Sequence, residues 1–384
     1  MAQNKRMKIA VAVTTYNHKD AIGRCLKSLA AQRGEYDLEA WVFDDCSTDE
    51  TGDVVRQLLK DIKLPANVRI TYVLNKKNLG MQGNLRQVLD FFANGDSDFC
   101  CILEGDDYWL SADRIQRHVD LLTEHPEYAF SFNALLLYEQ ADDYFHTHPK
   151  QEEMRDPEYT ASDLAQENFI ANLSTTFYRT ENVRKIPLEI FDEVFVADWI
   201  INIIMAQEMG SIGYINEPLT VYRLHENGVW SGESWHKKNR QTLGNAEFLR
   251  ARYPGKLDGE LDVFLSRYIQ AGDTVASLYW STPNMGFGEK TRLRAVAEWD
   301  DKKRTYTVRF PLDRCAGATA MRFDPIEGHR IRAKIHSILC EGKPVKISQS
   351  NGLLNHWFRT TDPWYRLAPA SGNVLTVEWE MYAY

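Results

Sequence analysis

The chain has 384 residues, 44% of them hydrophobic and 26% charged, with a formal net charge of −9. That length suits two or three domains with sizeable cores. The acidic balance argues against a general nucleic-acid binder, which carries a basic face. Six cysteines form no CxxC pair, and Cys25, Cys100 and Cys101 lie in apolar runs. They read as buried thiols of a reducing compartment, not as zinc ligands or a disulfide frame. The short apolar run at 9–13 cannot serve as a signal-peptide core, and no later stretch is long enough to span a bilayer. A cytoplasmic protein is expected, with any membrane association peripheral or through a partner.

In chain order, strands are predicted at 9–13, 38–43, 68–74 and 99–103. Helix patterns fall at 20–31, 51–61, 81–93 and 112–124. This alternation implies a largely parallel sheet with helices on both faces. An apolar run at 130–138 precedes a polar stretch holding His146 and His148, read as a mobile loop. A loop and helix then lead to the polar group Asn172–Thr176, and an apolar helix opens near Asp198 and continues to Met205. Residues 211–223 resemble a strand pair. A helical stretch is predicted from 235 to 280, broken at Pro254-Gly255, and 281–288 reads as a linker. Short alternating strands at 305–310, 318–323, 331–338, 345–347 and 374–381 then predict a small β-sandwich, whose tryptophans fill its core by default.

In such sheets the ligand crevice lies beyond the carboxyl ends of the strands. Three polar clusters fall there: Thr14-Thr15-Tyr16-Asn17, Asp44-Asp45 and Glu104-Gly105-Asp106-Asp107. The last places three carboxylates within four residues, a set suited to a hard divalent cation that also takes waters and phosphates. Solvated strand-end acids are the plainer alternative, but three clusters at one edge favour a site. No GxGxxG follows the first strand and no GxxxxGK[ST] occurs, so dinucleotide and P-loop readings lose their support.

Six ordered motifs carry a family resemblance: Val13-Thr14-Thr15-Tyr16-Asn17; Asp44-Asp45-Cys46-Ser47-Thr48-Asp49; Asn78-Leu79-Gly80 with Asn84; Glu104-Gly105-Asp106-Asp107-Tyr108-Trp109; Ala197-Asp198-Trp199; and Tyr222-Arg223-Leu224-His225. Over roughly residues 8–232 the chain resembles an inverting family 2 glycosyltransferase of the GT-A fold. The resemblance implies a divalent cation, Mg²⁺ or Mn²⁺, at Asp106 and Asp107, with His225 as a further ligand or a structural histidine. Asp106 would also reach the donor's ribose, while Glu104 stands where relatives place an Asp. Asp45 would accept a base N–H of uracil or thymine, with Thr14 and Tyr16 walling the base pocket and Asn17 among the residues binding the nucleotide-sugar. Asn78, Gly80 and Asn84 would surround the nucleotide, and Arg86 stands beside the position where relatives carry an Arg. Asp198 would be the general base, with a helix N-cap as its plainer role. Trp199 would pack on a sugar face, and Trp230 and Ser231 would belong to a closing loop.

The expected organisation is a GT-A catalytic domain at 1–232, a helical extension at 233–284 and a jelly-roll-like β-sandwich accessory domain at 285–384. The expected partners are a UDP- or dTDP-linked sugar donor and a glycan or lipid-linked glycan acceptor, with no nucleic acid. Surface polysaccharide synthesis at the inner face of the membrane is the expected setting. The C-terminal β domain is a candidate surface for glycan capture or self-association. An idle GT-A glycan-binding protein and a sugar nucleotidyltransferase are the rival readings.

Overall fold

The computed structural model describes residues 6–225, 228, 235–269, 274–300, 302–326, 331–354 and 356–383. Trp230 and Ser231 lie outside them. Two compact units are distinguished, one comprising the chain up to His225 with Gly244–Asp262, the other Glu226–Leu243 with Val263–Tyr384.

In the first unit, among the described residues, ten strands form one sheet: β1 (Met7–Thr15), β2 (Tyr36–Asp44), β3 (Val68–Leu74), β4 (Phe99–Glu104), β5 (Tyr108–Trp109), β6 (Tyr128–Glu139), β7 (Tyr144–Thr147), β8 (Glu158–Tyr159), β9 (Thr176–Arg179) and β10 (Ser211–Leu224). The order is β3-β2-β1-β4-β9-β6-β10-β5, with β7 beside β6 and β8 beside β10. The pairs β3–β2, β2–β1, β1–β4 and β6–β10 are parallel, whereas β9 runs antiparallel to both β4 and β6. Parallel pairing demands crossover helices, supplied by α1 (Ile22–Ala30), α2 (Thr51–Asp61) and α3 (Gly80–Asn94), with α4 (Arg114–Glu124) following β5. Ile9, Val11 and Val13 alternate onto one face and share a core with Ile22, Leu26 and Leu29 of α1, Val55 of α2 and Ile115 of α4. The other alternation presents the small Ala10 and Ala12, and α3 packs against β1 outside that core. Short helices α5 (Ala161–Gln166) and α6 (Thr180–Val183) precede α7 (Ala197–Met209).

The predicted strand pair at 211–223 is one long strand, β10, irregular around Pro218, where a missing N–H interrupts the ladder. Its entry requires Gly210, whose φ is 137° and whose added Cβ would lie 2.2 Å from the Glu127 carbonyl oxygen. His146 and His148 do not lie in an open loop. His146 belongs to β7, and both side chains are buried.

The helical prediction for 235–280 holds for α8 (Trp235–Arg252) and α9 (Asp258–Ile269) but fails beyond them. Val275–Ser281 is a strand, β11, because Ala276, Leu278 and Trp280 point inward at period two. Residues 281–288 therefore join two strands of the second unit and are no interdomain linker. That unit also holds β12 (Arg292–Val296), β13 (Glu298–Asp300), β14 (Thr305–Pro311), β15 (Ala320–Asp324), β16 (Ile331–Cys340), β17 (Lys343–Pro344), β18 (Ile347–Ser350), β19 (Trp357–Phe358), β20 (Tyr365–Leu367) and β21 (Val374–Ala383). They form two antiparallel sheets, β12-β11-β15-β20-β18 and β13-β14-β21-β16-β17, with β19 beside β16. Phe310, Phe323, Tyr365 and Trp379 are shared core, so the buried tryptophans fill the sandwich as expected.

Candidate active site

The ends of β1, β2, β3 and β4 are tied by backbone bonds. Gly105 N–H donates to the Thr14 carbonyl, Asp45 N–H to the Thr15 carbonyl and Asn75 N–H to the Asp44 carbonyl, each at 2.8 Å. These bonds bring the three polar clusters to one edge, as the topology predicts. Asn17, at a left-handed φ of 56°, accepts at Oδ1 from the backbone N–H groups of Thr48 and Asp49, locking the first two loops together. Tyr16 stands 42% exposed beside this lock.

Asp45 is buried and accepts three hydrogen bonds. Its carboxylate accepts from Asn75 Nδ2 (2.9 Å), Leu79 N–H (2.8 Å) and Gly80 N–H (2.9 Å). Asn78 Oδ1 also accepts from Gly80 N–H, whose φ of 70° favours glycine. Asp45 thus anchors the start of α3 and leaves about one of its four acceptor sites for a base N–H. Asn84, on α3, is buried with Oδ1 unpartnered. Arg86 pairs with Asp192 at 3.4 Å, far along the chain from any strand end.

The acidic turn divides its members. Asp106 accepts from His225 Nε2 at 2.9 Å, with His18 Nε2 3.8 Å away, and its side chain keeps 15% exposure. Burial opposes its ionisation, but the His225 hydrogen bond and the charges of both histidines outweigh that and hold its carboxyl below the usual value. Burial likewise pushes the His18 imidazole down, against the pull of Asp106. Asp107 turns inward. At 1% exposure its carboxylate accepts from Ser174 Oγ (2.6 Å) and Arg223 N–H (3.0 Å), and burial, then Asp106 and Glu104, push its carboxyl well up. The expected ligand role for Asp107 is corrected accordingly: both oxygens already face donors of the protein. Glu104 accepts from Asn172 Nδ2 at 2.6 Å; burial and the charges of Asp106 and Asp198 push it up to about 8.

Asp198 lies in the first turn of α7, where Val196 is the cap residue, so its side chain is not the N-cap. Burial raises its carboxyl, and its charge is felt by Glu104 and Tyr222. Trp199 contradicts its expected role. It is 2% exposed and its Nε1–H donates to the Leu164 carbonyl at 2.9 Å, so it offers no face to a sugar. The stretch before Asp198 is held by Asn245 of α8, which accepts from Phe195 N–H (2.8 Å) and donates to the Val196 carbonyl (3.1 Å).

Four contributors escaped the sequence reading: His18, Ser174, Asn172 and Asn245. The dense polar run Asn172–Thr176 between apolar segments was the available signal for two of them; His18 follows a named motif directly. Among the described residues, no group of three or more His, Cys, Asp or Glu is placed to hold a metal ion.

Residues 10–186 match the family described as Glycosyl transferase family 2. The matched residues lie within the first unit, which is thus similar to family 2 glycosyltransferases. An uncharacterised protein of Mycobacterium tuberculosis is 30% identical over 241 residues, covering 62% of this chain. This chain spans 65% of that relative's length. The putative teichuronic acid biosynthesis glycosyltransferase TuaG of Bacillus subtilis is 26% identical over 60% of this chain and 84% of its own. A solved structure of S. aureus TarS in complex with UDP-GlcNAc aligns at a TM-score of 0.50 and 20% identity, covering 69% of this chain and 73% of that one. The first unit therefore has the GT-A architecture, followed in this chain by antiparallel β-sheets.

Proposed function

We propose that this chain is an inverting glycosyltransferase and moves a sugar from a UDP- or dTDP-linked donor to a glycan acceptor in surface polysaccharide synthesis. The observation that carries the reading is the Asp106–His225 pair at the strand ends, with Asp198 in the first turn of α7, where its charge is felt at Glu104. The names of TuaG and TarS support the polysaccharide setting.

Asp106 and His225 fit a divalent cation, because both present polar atoms at a partly open edge and hard cations in such sites complete their shell with phosphate and water. Asp107 does not fit, because at 1% exposure both its oxygens are turned inward onto Ser174 Oγ and Arg223 N–H. A bound Mg²⁺ or Mn²⁺ would neutralise charge gathering on the departing diphosphate. Asp45, Asn78, Gly80 and Asn84 hold the nucleotide loop, with Tyr16, Thr14 and Asn17 at the base. Asp198 removes the acceptor hydroxyl proton as that oxygen attacks the anomeric carbon, and burial raises its basicity for that task. One displacement inverts the configuration. The β-sandwich is assigned as an accessory module for glycan capture or self-association. No helix among the described residues is long and apolar enough to cross a membrane; action at the inner membrane face would then be peripheral.

The test is release of free nucleoside diphosphate from a panel of UDP- and dTDP-sugars with Mg²⁺ or Mn²⁺ and glycan acceptors. Pyrophosphate as the product would assign nucleotidyl transfer instead. Transfer that survives in Asp198→Asn would remove Asp198 as the base.

A further inference from the structure

We propose that Ser174 and Asp107 are positioning residues that together form a buried strut fixing His225 against Asp106. The inference rests on the donor reading above and goes beyond it, since it assigns the inner half of the acidic turn a mechanical task.

Asp107 Oδ1 accepts from the backbone N–H of Arg223, two residues before His225, and Oδ2 from Ser174 Oγ. Ser174 is fully buried, and its hydroxyl also accepts from Glu104 N–H at 3.0 Å. One side chain thus grips both ends of the turn Glu104–Asp107. Its own backbone is immobilised in turn: the Ser174 carbonyl accepts from Trp109 Nε1 (3.0 Å) and Arg114 Nη2 (3.1 Å). Arg114 is itself fully buried, lies 4.5 Å over the Trp109 ring and also donates to the Thr176 carbonyl. The 3₁₀ turn Leu173–Thr175 is therefore pinned between α4 and the sheet, and it transmits that rigidity through Asp107 to the end of β10. The β6 ladder holds the end of β10 from one side; the strut ties it directly to the acidic turn that carries Asp106. A carboxylate that served the cation directly would instead aim an oxygen at the open edge, as Asp106 does.

The full chain is compared as wild type, D106N, D107N and S174A. UDP and dTDP affinities are measured calorimetrically with and without Mn²⁺, and backbone hydrogen exchange is followed at 104–108 and 222–225. S174A is expected to speed exchange in both segments and to weaken Mn²⁺-dependent UDP binding by up to about tenfold, the scale of one lost hydrogen bond. Mn²⁺-free UDP binding should be unmoved. D107N keeps an acceptor for Arg223 N–H and should lose less than about threefold, whereas D106N should abolish the Mn²⁺ increment. The strut is overturned if D107N falls as far as D106N, or if exchange in S174A matches wild type. A wild type that binds neither UDP nor dTDP refutes the donor reading, while the exchange measurement still decides the strut. If S174A does not fold, the D107N and D106N comparison carries the decision.

Discussion

Replacing Glu104 by Gln should stabilise the protein, and increasingly so as pH rises. Glu104 has an ordinary carboxyl value of 4.5 in an unfolded chain and about 8 in the folded one, where burial, Asp106 and Asp198 disfavour its charge. The raised folded value means that the unfolded state releases the proton first. Stability is then fully present below pH 4.5 and lost progressively as pH climbs toward 8. At about 1.36 kcal/mol per pH unit, the cost reaches on the order of 3 kcal/mol at pH 7. Gln removes this cost and keeps a carbonyl oxygen for Asn172 Nδ2. Denaturant unfolding of metal-free E104Q and wild type at pH 4, 5.5, 7 and 8 should show equal stability at the lowest pH and a gap that widens steadily. A gap independent of pH, or E104Q the weaker protein at pH 8, would refute the reasoning.

Gly105→Ala places a Cβ 2.8 Å from Thr15 Oγ1 and 2.9 Å from His18 Nδ1. A loss of about 1–3 kcal/mol in unfolding free energy is expected, together with weaker Mn²⁺-dependent UDP binding as His18 is pushed from Asp106. Trp199→Phe should cost about 1–2 kcal/mol through the lost bond to the Leu164 carbonyl while leaving the donor KM unchanged; a raised KM at wild-type stability would return Trp199 to the sugar site. Asp45→Ala releases three donors at the start of α3, and amide exchange at Leu79 and Gly80 should rise sharply, with UDP affinity falling. Unaltered exchange there would mean the loop holds itself.

The first four strands and their crossover helices were legible because period-two and period-3.6 patterns alternate cleanly up to residue 124. Their ends predicted where Thr14, Asp45 and Asp106 meet. The division of labour within the acidic turn was not legible, since Asp106 and Asp107 are the same residue type side by side and only the turn's geometry sends one outward and one in. Trp199 was misjudged because an aromatic after a site acid reads the same whether it faces ligand or core; the carbonyl of Leu164, 35 positions away, decides it. The strand at Val275–Ser281 was hidden because apolar Val275 and Tyr279 interleave with its inward residues and blur the alternation. Ser174 acts on Asp107, 67 positions away, and Asn245 on Phe195, 50 positions away, relations no local pattern records.

Asn245 has a practical consequence for anyone dividing this protein. A chain ended at 232, where the sequence motifs stop, would omit the side chain that secures Phe195 and Val196, one turn ahead of Asp198. The segment Gly244–Asp262 returns to the first unit after the chain has left it. The smallest excisable fragment with the start of α7 still tethered therefore ends after Asp262, and one ended at 232 is expected to show faster amide exchange at Phe195 and Val196.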